Sequence, residues 1–392
     1  MRFTSLSIIV AADAILASPV ERAAKPATLP LKHVINVSSA SSLIQRGQAR
    51  LNHINGGDAA KTTVGHVDAS SGPAENDDVS YIASVAIGNA NWNLIVDTGS
   101  SNTWTGAQSS YVPHSTGNAT GGSVSVSYGS GQFSGKEYVD KVSFGGLTVA
   151  SQSIGSATSA SGFNGVDGIF GLGPVGLTKN TVSNAATVPT FLDNLYAQGS
   201  IPTEVLGVYF SPEAGSDTSD NNGELTLGGV DSSKYTGALT YVPTLKSGAA
   251  APYWGVSIAS FAYGSTTLAS GATGIVDTGT TLIYIPSAAY SKFLSASGGK
   301  TDSSSGLAVY TKKPTANFSI TLGSTTYTLT PAQYLVPTAQ YSFFGLSSGK
   351  YYAWINDGGS SGVNTIIGQK FLENYYSVYD TTNARIGFAK AA

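Results

Sequence analysis

Leu94-Ile95-Val96-Asp97-Thr98-Gly99-Ser100 in one half of the chain and Gly274-Ile275-Val276-Asp277-Thr278-Gly279-Thr280 in the other are two settings of one segment. In each, apolar residues run into Asp-Thr-Gly and then a hydroxyl residue. The apolar run predicts a buried strand. Asp-Thr-Gly predicts the tight turn at its end, with glycine supplying backbone freedom. Such a turn fixes one carboxylate in a partly desolvated place, and two copies fix two.

Outward from the first copy, residues 79–97 alternate and turn at Gly88-Asn89, a hairpin leading into the strand that ends at Asp97. The polar stretch 108–122 reads as loop. Residues 124–135 form two alternating arms about Gly129-Ser130-Gly131, with Tyr128 just before the tip. A mobile hairpin of this kind can close over a cleft and exclude water. Val166 to Gly173 predicts another apolar strand ending in glycines, 188–198 a helix, and Gly223 to Gly229 a strand and turn.

The stretch 241–253, with Pro243, Gly248 and Pro252, is the best lobe boundary. The plan then repeats: strands from Trp254, the second Asp-Thr-Gly, a helix at 287–294, and Thr365-Ile366-Ile367-Gly368, parallel in character to Ile169-Phe170-Gly171. Strands at 375–379 and 385–389 close the chain. The repetition is an internal duplication at lobe scale.

A chain of 392 residues exceeds what one core usually organises, so two lobes are expected. Gly at 47, Pro at 15 and only 11% charged residues favour many short strands joined by tight turns. There is no cysteine, which excludes disulfides, thiolate metal sites and a Cys nucleophile. The histidines are His33, His53, His66 and His114, and the first three precede the body, so a Ser-His-Asp triad or a His-based zinc site would rest on His114 alone. Gly171, Gly173 and Gly176 satisfy G-x-G-x-x-G, but Pro174 stands where a phosphate-cradling helix would begin and no βαβ alternation surrounds it. Neither a metal nor a cofactor is expected.

Met1-Arg2, the apolar run near Ile8 to Leu16 and Ala17-Ser18 read as a secretory signal over 1–18, interrupted by Asp13. Residues 19–68 carry Arg22, Lys25, Lys32, Arg46, Arg50 and Lys61 against Glu21, Asp58 and Asp68, whereas the body is net acidic. A basic segment before an acidic body suggests a charge-held cover, an inhibitory propeptide released by acid. The divisions expected are 1–18 signal, 19–68 propeptide, 69–242 first lobe and 243–392 second lobe. Asn36, Asn118 and Asn317 begin N-x-Ser/Thr glycosylation acceptors, weak support for a secreted, extracellular protein.

If the halves pack about a pseudo-twofold axis, Asp97 and Asp277 meet at the lobe interface. Two carboxylates at hydrogen-bonding distance cannot both ionise cheaply, so one proton is shared. A water between them can lose a proton to the ionised Asp while the protonated one donates to a carbonyl oxygen. An amide is then hydrolysed with no metal and no covalent intermediate. Thr98 and Thr278 can lock the two turns together, with Ser100 and Thr280 supporting the carboxylates.

At this point the residues resemble the pepsin family of two-lobed aspartic endopeptidases, most closely its fungal secreted members. The motifs are Val96-Asp97-Thr98-Gly99-Ser100-Ser101-Asn102-Thr103-Trp104, Tyr128-Gly129-Ser130-Gly131, Asp167 to Gly173, Val276 to Thr281, and Tyr375 to Asp380. The resemblance implies an all-β bilobal double barrel with a few short helices, pseudo-twofold symmetry and a cleft between lobes. It implies Asp97 and Asp277 as catalytic pair and Tyr128 as a flap tyrosine hydrogen-bonded to Trp104. Gly129, Ser130, Gly99, Gly279 and Thr280 would contact substrate. Ile95, Tyr128, Val166 and Ile169 would line the pocket for the residue before the cut, favouring a large apolar or aromatic side chain there. Ser130 stands where some fungal relatives carry an acid that accepts lysine, so cleavage after lysine is not expected. The substrates implied are proteins and peptides cut at acid pH by a monomer, with no nucleic acid and no membrane span. The second-lobe disulfide of many relatives is absent, so the loop at 297–306 is expected to be looser. No family match singles out the residue that caps the pair, and Lys61, Arg50 and His53 all qualify. A non-catalytic relative would lack Asp97, Asp277 or Tyr128, and all three are present. A phosphoaspartate enzyme would need a phosphate-binding α/β frame with metal carboxylates, which the sequence lacks.

Overall fold

The computed structural model describes residues 25–37, 39–56, 78–129 and 131–392. The readings at 1–18, Lys61, His66 and Ser130 lie outside the described residues. The amino-terminal segment supplies β1 (Ala27–Asn36) and α1 (Ala40–Ile54). The first half continues with β2 (Asp78–Ile87), β3 (Ala90–Asp97), β4 (Trp104–Thr105), β5 (Asn118–Tyr128), β6 (Gly131–Phe144), β7 (Leu147–Ser161), β8 (Gly168–Gly171), α2 (Phe191–Ala197), β9 (Val205–Phe210), β10 (Ser219–Leu227) and β11 (Tyr235–Pro243). The second half opens with β12 (Gly255–Tyr263), β13 (Thr266–Val276), β14 (Ile283–Ile285), α3 (Ser287–Ser297), β15 (Lys300–Thr301), β16 (Ala308–Tyr310), β17 (Phe318–Leu322) and β18 (Thr325–Leu329). It ends with α4 (Pro331–Tyr334), β19 (Tyr351–Ala353), β20 (Ile355–Asp357), β21 (Ile366–Ile367), α5 (Gln369–Leu372), β22 (Tyr375–Asp380) and β23 (Arg385–Ala391).

The duplication is visible in the pairing. β3 lies parallel to β8, with Ile95 beside Ile169 and Asp97 beside Gly171. β13 lies parallel to β21, with Ile275 beside Ile366 and Val276 beside Ile367. Each Asp-bearing strand thus runs beside the apolar-apolar-Gly strand of its own half. Parallel neighbours covered on both faces read as continuous apolar runs, and Leu94, Val96, Phe170, Ile275, Val276, Ile366 and Ile367 are all fully buried.

The halves are not joined by a simple linker. β9 and β10 of the first half share a sheet with β22 and β23 of the second, in the order β11-β23-β22-β9-β10. That sheet continues through β1, which lies antiparallel to both β10 and β2. The amino-terminal segment is therefore built into the body by main-chain hydrogen bonds. The boundary expected at 242/243 falls at the end of β11, which pairs with the closing strand.

The stretch 118–122, expected to be loop, is strand. The first four residues of β5 are all exposed, so no buried alternation marks them, and pairing with β6 decides their conformation. The helix expected at 188–198 forms at Phe191–Ala197, where Thr190 and Asp193 close a capping box. The loop at 297–306 is tied down without a disulfide: Asp302 accepts hydrogen bonds from the Ser304 and Ser305 hydroxyls and from the Ser305 amide.

Candidate active site

β3 and β13 deliver Asp97 and Asp277 to one buried spot, and the two turns mirror each other bond for bond. The Thr98 amide donates to Thr278 Oγ1 at 2.9 Å, and the Thr278 amide to Thr98 Oγ1 at 3.1 Å. Each hydroxyl then donates into the opposite strand, Thr278 to the Val96 carbonyl at 2.9 Å and Thr98 to the Val276 carbonyl at 3.4 Å. Both threonines are fully buried, so a loss on one side leaves orphaned groups on the other, each costing about 1–3 kcal/mol.

The carboxylates are held alike. Asp97 Oδ1 accepts from the Gly99 amide at 2.9 Å and Oδ2 from Ser100 Oγ at 2.5 Å. Asp277 Oδ1 accepts from the Gly279 amide at 2.9 Å and Oδ2 from Thr280 Oγ1 at 2.7 Å. Space, not a left-handed backbone, dictates the glycines. A Cβ on Gly99 would lie 2.6 Å from Asp277 Oδ1, and one on Gly279 would lie 2.6 Å from Asp97 Oδ1. Neither glycine has a positive φ. The freedom expected of Gly in these turns is therefore not what they use; each lets the opposite carboxylate approach.

Between the carboxylates lies a guanidinium. Arg50 Nη2 is 2.8 Å from Asp97 Oδ1, and Arg50 Nε is 2.8 Å from Asp277 Oδ2. Arg50 comes from α1, whose Leu43, Ile44, Leu51 and Ile54 are buried. Ser39 caps the helix by accepting from the Ser42 amide. The helix is tied to the second lobe at both ends. Tyr284 Oη donates to the Ile44 carbonyl at 3.0 Å. Asn55 and Val363 exchange two hydrogen bonds, at 2.8 and 2.7 Å. On the first-lobe side α1 presses on the hairpin tip, where a Cβ on Gly129 would collide with the Arg50 backbone.

One guanidinium cannot neutralise two buried carboxylates. Burial, with the charge of Asp97 adding to it and Arg50 opposing, pushes Asp277 up to about 6. Arg50 itself stays charged: the two carboxylates outweigh burial and raise it above its ordinary value. Tyr253, whose hydroxyl is also pushed up by burial, lines the space beside Arg50.

The residues expected to form the pocket before the cut come together. Ile95, Tyr128, Val166 and Ile169 belong to one apolar cluster with Trp104, Phe133 and Phe163. Tyr128 sits edge-on to Phe163 at 5.5 Å between ring centroids, and Trp104 stacks on Phe133 at 4.2 Å. Tyr128 lies against Trp104, with the rings 6.5 Å apart and tilted by 26°. The indole draws the phenol's pKa downward, but burial dominates and leaves it well above its ordinary value.

Residues 80–391 match the family model described as eukaryotic aspartyl protease. The chain is 47% identical over 332 residues to polyporopepsin of Irpex lacteus, covering 82% of this chain and 97% of that one. The chain belongs to the eukaryotic aspartyl protease family. Rhizopuspepsin-1 of Rhizopus niveus is 32% identical over the full length of both chains. The crystal structure of an aspartic proteinase from Irpex lacteus superimposes with a TM-score of 0.78 at 40% identity, covering 94% of this chain and 98% of that one. The fold is accordingly the mostly-β bilobal fold of pepsin-like proteases, and the protein is an aspartic endopeptidase.

In this aspartyl protease the G-x-G-x-x-G run serves packing. A Cβ on Gly173 would lie 2.8 Å from the Ser100 carbonyl and 2.9 Å from that of Thr98, so the glycine lets β8's exit lie directly behind the Asp97 turn. Pro174 precedes a four-residue 3-10 turn in place of a phosphate-binding helix. Of the residues left open for capping the pair, Arg50, on the inner face of α1, reaches it, while Lys61 lies outside the described residues. Leu43, Gly47, Arg50, Leu51 and Ile54 fall at helical spacing, and that periodicity was the available signal. Gln369 was not anticipated: its side-chain amide donates to the Thr278 carbonyl at 2.8 Å and braces the second turn. Asn118 and Asn317 are both exposed, as a glycosylation acceptor must be. Among the described residues no helix is long and apolar enough to cross a membrane.

Proposed function

We propose that Asp97 and Asp277 are the catalytic pair, sharing one proton and activating one water. The observation carrying this is the mirrored hydrogen-bond frame that gives the two carboxylates matching surroundings in one buried place. Matched, adjacent carboxylates are the arrangement in which one ionises as base while the other keeps its proton as acid, and aspartic proteases are the standing example. Gly129, Ser130, Gly99, Gly279 and Thr280 contact the peptide, and Ile95, Tyr128, Val166 and Ile169 receive the side chain before the cut. Thr98, Ser100, Trp104 and Thr278 hold these groups in place.

The enzyme is secreted through a signal at 1–18 and stored as a zymogen. Residues 19–68 cover the cleft of a monomer whose lobes are 69–242 and 243–392, and acid removes the cover. Arg50 supports this reading, because it fills the place between the carboxylates where water and a scissile amide would lie. By reciprocity, a cation that lowers the pair's proton affinity is itself held less tightly once the pair is protonated.

Cleavage of a peptide library by the matured enzyme at acid pH tests the pocket. Enrichment of Phe, Leu and Tyr before the cut is expected, by about ten-fold or more over small polar residues, since burying a large apolar side chain is worth roughly 1.5–3 kcal/mol. A profile dominated by lysine would refute it.

A further inference from the structure

β1 carries an anomaly. Its alternation places Leu29, Leu31, His33 and Ile35 inward, so a histidine occupies one position in an otherwise apolar row. His33 is fully buried, and both its ring nitrogens are closed to solvent and without a hydrogen-bond partner among the described residues. Its ring lies 4.8 Å from that of Tyr81 on β2, and Tyr81 in turn stacks on Phe210 at 3.5 Å. The active-site chemistry has no use for it. It sits on the strand that docks the amino-terminal segment into the sheet, paired with Tyr81 on one side and Asp220 on the other.

We propose that His33 is a proton switch for the cover, remote from the active site, whose protonation expels β1 from the sheet and so begins release of α1 and Arg50. This rests on the reading of residues 19–68 as an inhibitory cover and adds the group that senses acid. An imidazolium in this place would have neither water nor an acceptor in contact. The charged and titratable groups around it are Tyr81 from β2, Asp220 from β10 with its neighbour Glu213, and Lys370 from α5 paired with Glu373 at 2.8 Å. Lys370 opposes a second positive charge, and Asp220 favours it only in part. Pro30 has no N–H to give, and the register with β10 shifts between Leu31 and His33.

The sign follows from linkage. Burial, reinforced by Lys370, pushes docked His33 down to about 3, against 6.5 when released. Docking is therefore fully favoured above about pH 6.5 and loses hold as pH falls from there toward 3. At pH 4 the released state gains on the order of 300-fold from this one group. Arg50 cannot act as the switch, since it keeps its charge throughout.

The test uses the intact 392-residue chain and follows its conversion after jumps from pH 7 to values between 6 and 3. His33→Phe keeps a ring against Tyr81 and removes the titration. The ratio of wild-type to variant conversion rate is expected to grow by nearly ten-fold per pH unit below pH 6, reaching on the order of 300-fold by pH 4. Histidine 13Cε1 resonances of the unconverted wild type are expected to show His33 neutral down to the pH at which conversion begins. A constant ratio, or His33 titrating near 6.5 while β1 stays docked, would overturn the switch. The resonance measurement decides the matter alone if His33→Phe fails to fold. Hydrolysis of a small peptide by unconverted chain at pH 6, relative to matured enzyme at the same pH, reports separately on the cover. Full activity there, with His33 neutral and β1 docked, would refute inhibition by α1 while leaving the switch in place.

Discussion

The matured enzyme carrying Asp97→Asn is expected to hydrolyse a denatured protein at acid pH on the order of 10⁴-fold more slowly than the unsubstituted enzyme. Asparagine is nearly isosteric with aspartate. Its carbonyl oxygen can still accept from the Gly99 amide, which bonds Asp97 Oδ1 at 2.9 Å. The mutual Thr98–Thr278 bonds do not involve the carboxylate and survive. What disappears is the capacity of the pair to take a proton from water while holding another for the carbonyl oxygen. The fall should therefore lie in kcat, with the thermal midpoint unchanged within a few degrees. Asp277→Asn should behave the same, because its surroundings match. Equal cleavage by either variant would remove the pair from the mechanism.

The second large effect concerns the cover. Intact chain carrying Arg50→Ala is expected to cleave a small peptide at pH 6 at least a hundred-fold faster than the unsubstituted chain. Arg50 makes 2.8 Å contacts with both carboxylates, and its side chain is 12% exposed. Removing one side of a buried ion pair costs about 3–5 kcal/mol, because the remaining charges are left unpaired. That penalty falls on the covered state alone and corresponds to roughly 10²–10⁴ in the docking equilibrium. The apolar residues Leu43, Ile44, Leu51 and Ile54 would still favour docking, so partial latency should persist. Arg50→Lys should fall between the two. An ammonium is a point charge and lacks the planar fork that reaches Asp97 through Nη2 and Asp277 through Nε. Unchanged latency in Arg50→Ala would show that the helix blocks the cleft by bulk alone.

Much of this arrangement was legible in the sequence because its signals are local. Each Asp strand is a continuous apolar run ended by a turn, and each partner strand repeats that pattern, so the duplication and the two carboxylates stand out. The helix at Phe191 opens on a local start signal, the Thr190–Asp193 capping box, and the one at Ser287 follows Pro286. What escaped depends on distant partners. Residues 118–122 are polar and exposed, and only β6 makes them a strand. Arg50 could not be chosen over Lys61 and His53, because the choice rests on α1 lying across carboxylates 47 and 227 positions away. The glycines of Asp-Thr-Gly read locally as turn freedom, whereas their use is close approach across the pseudo-twofold, which no local pattern can express.

The pH dependence of kcat/KM for the matured enzyme tests the shared proton most directly. Two neighbouring buried carboxylates release their protons in well-separated steps, and activity needs the singly protonated pair. Burial already raises Asp277 to about 6 with Arg50 in place, and loss of Arg50 removes an influence that lowers it. A bell confined to acid pH, collapsing as the last proton leaves near neutrality, is the expected result. A rate that holds level or climbs through pH 8 would mean that some other group activates the water, and the two-carboxylate mechanism would fail.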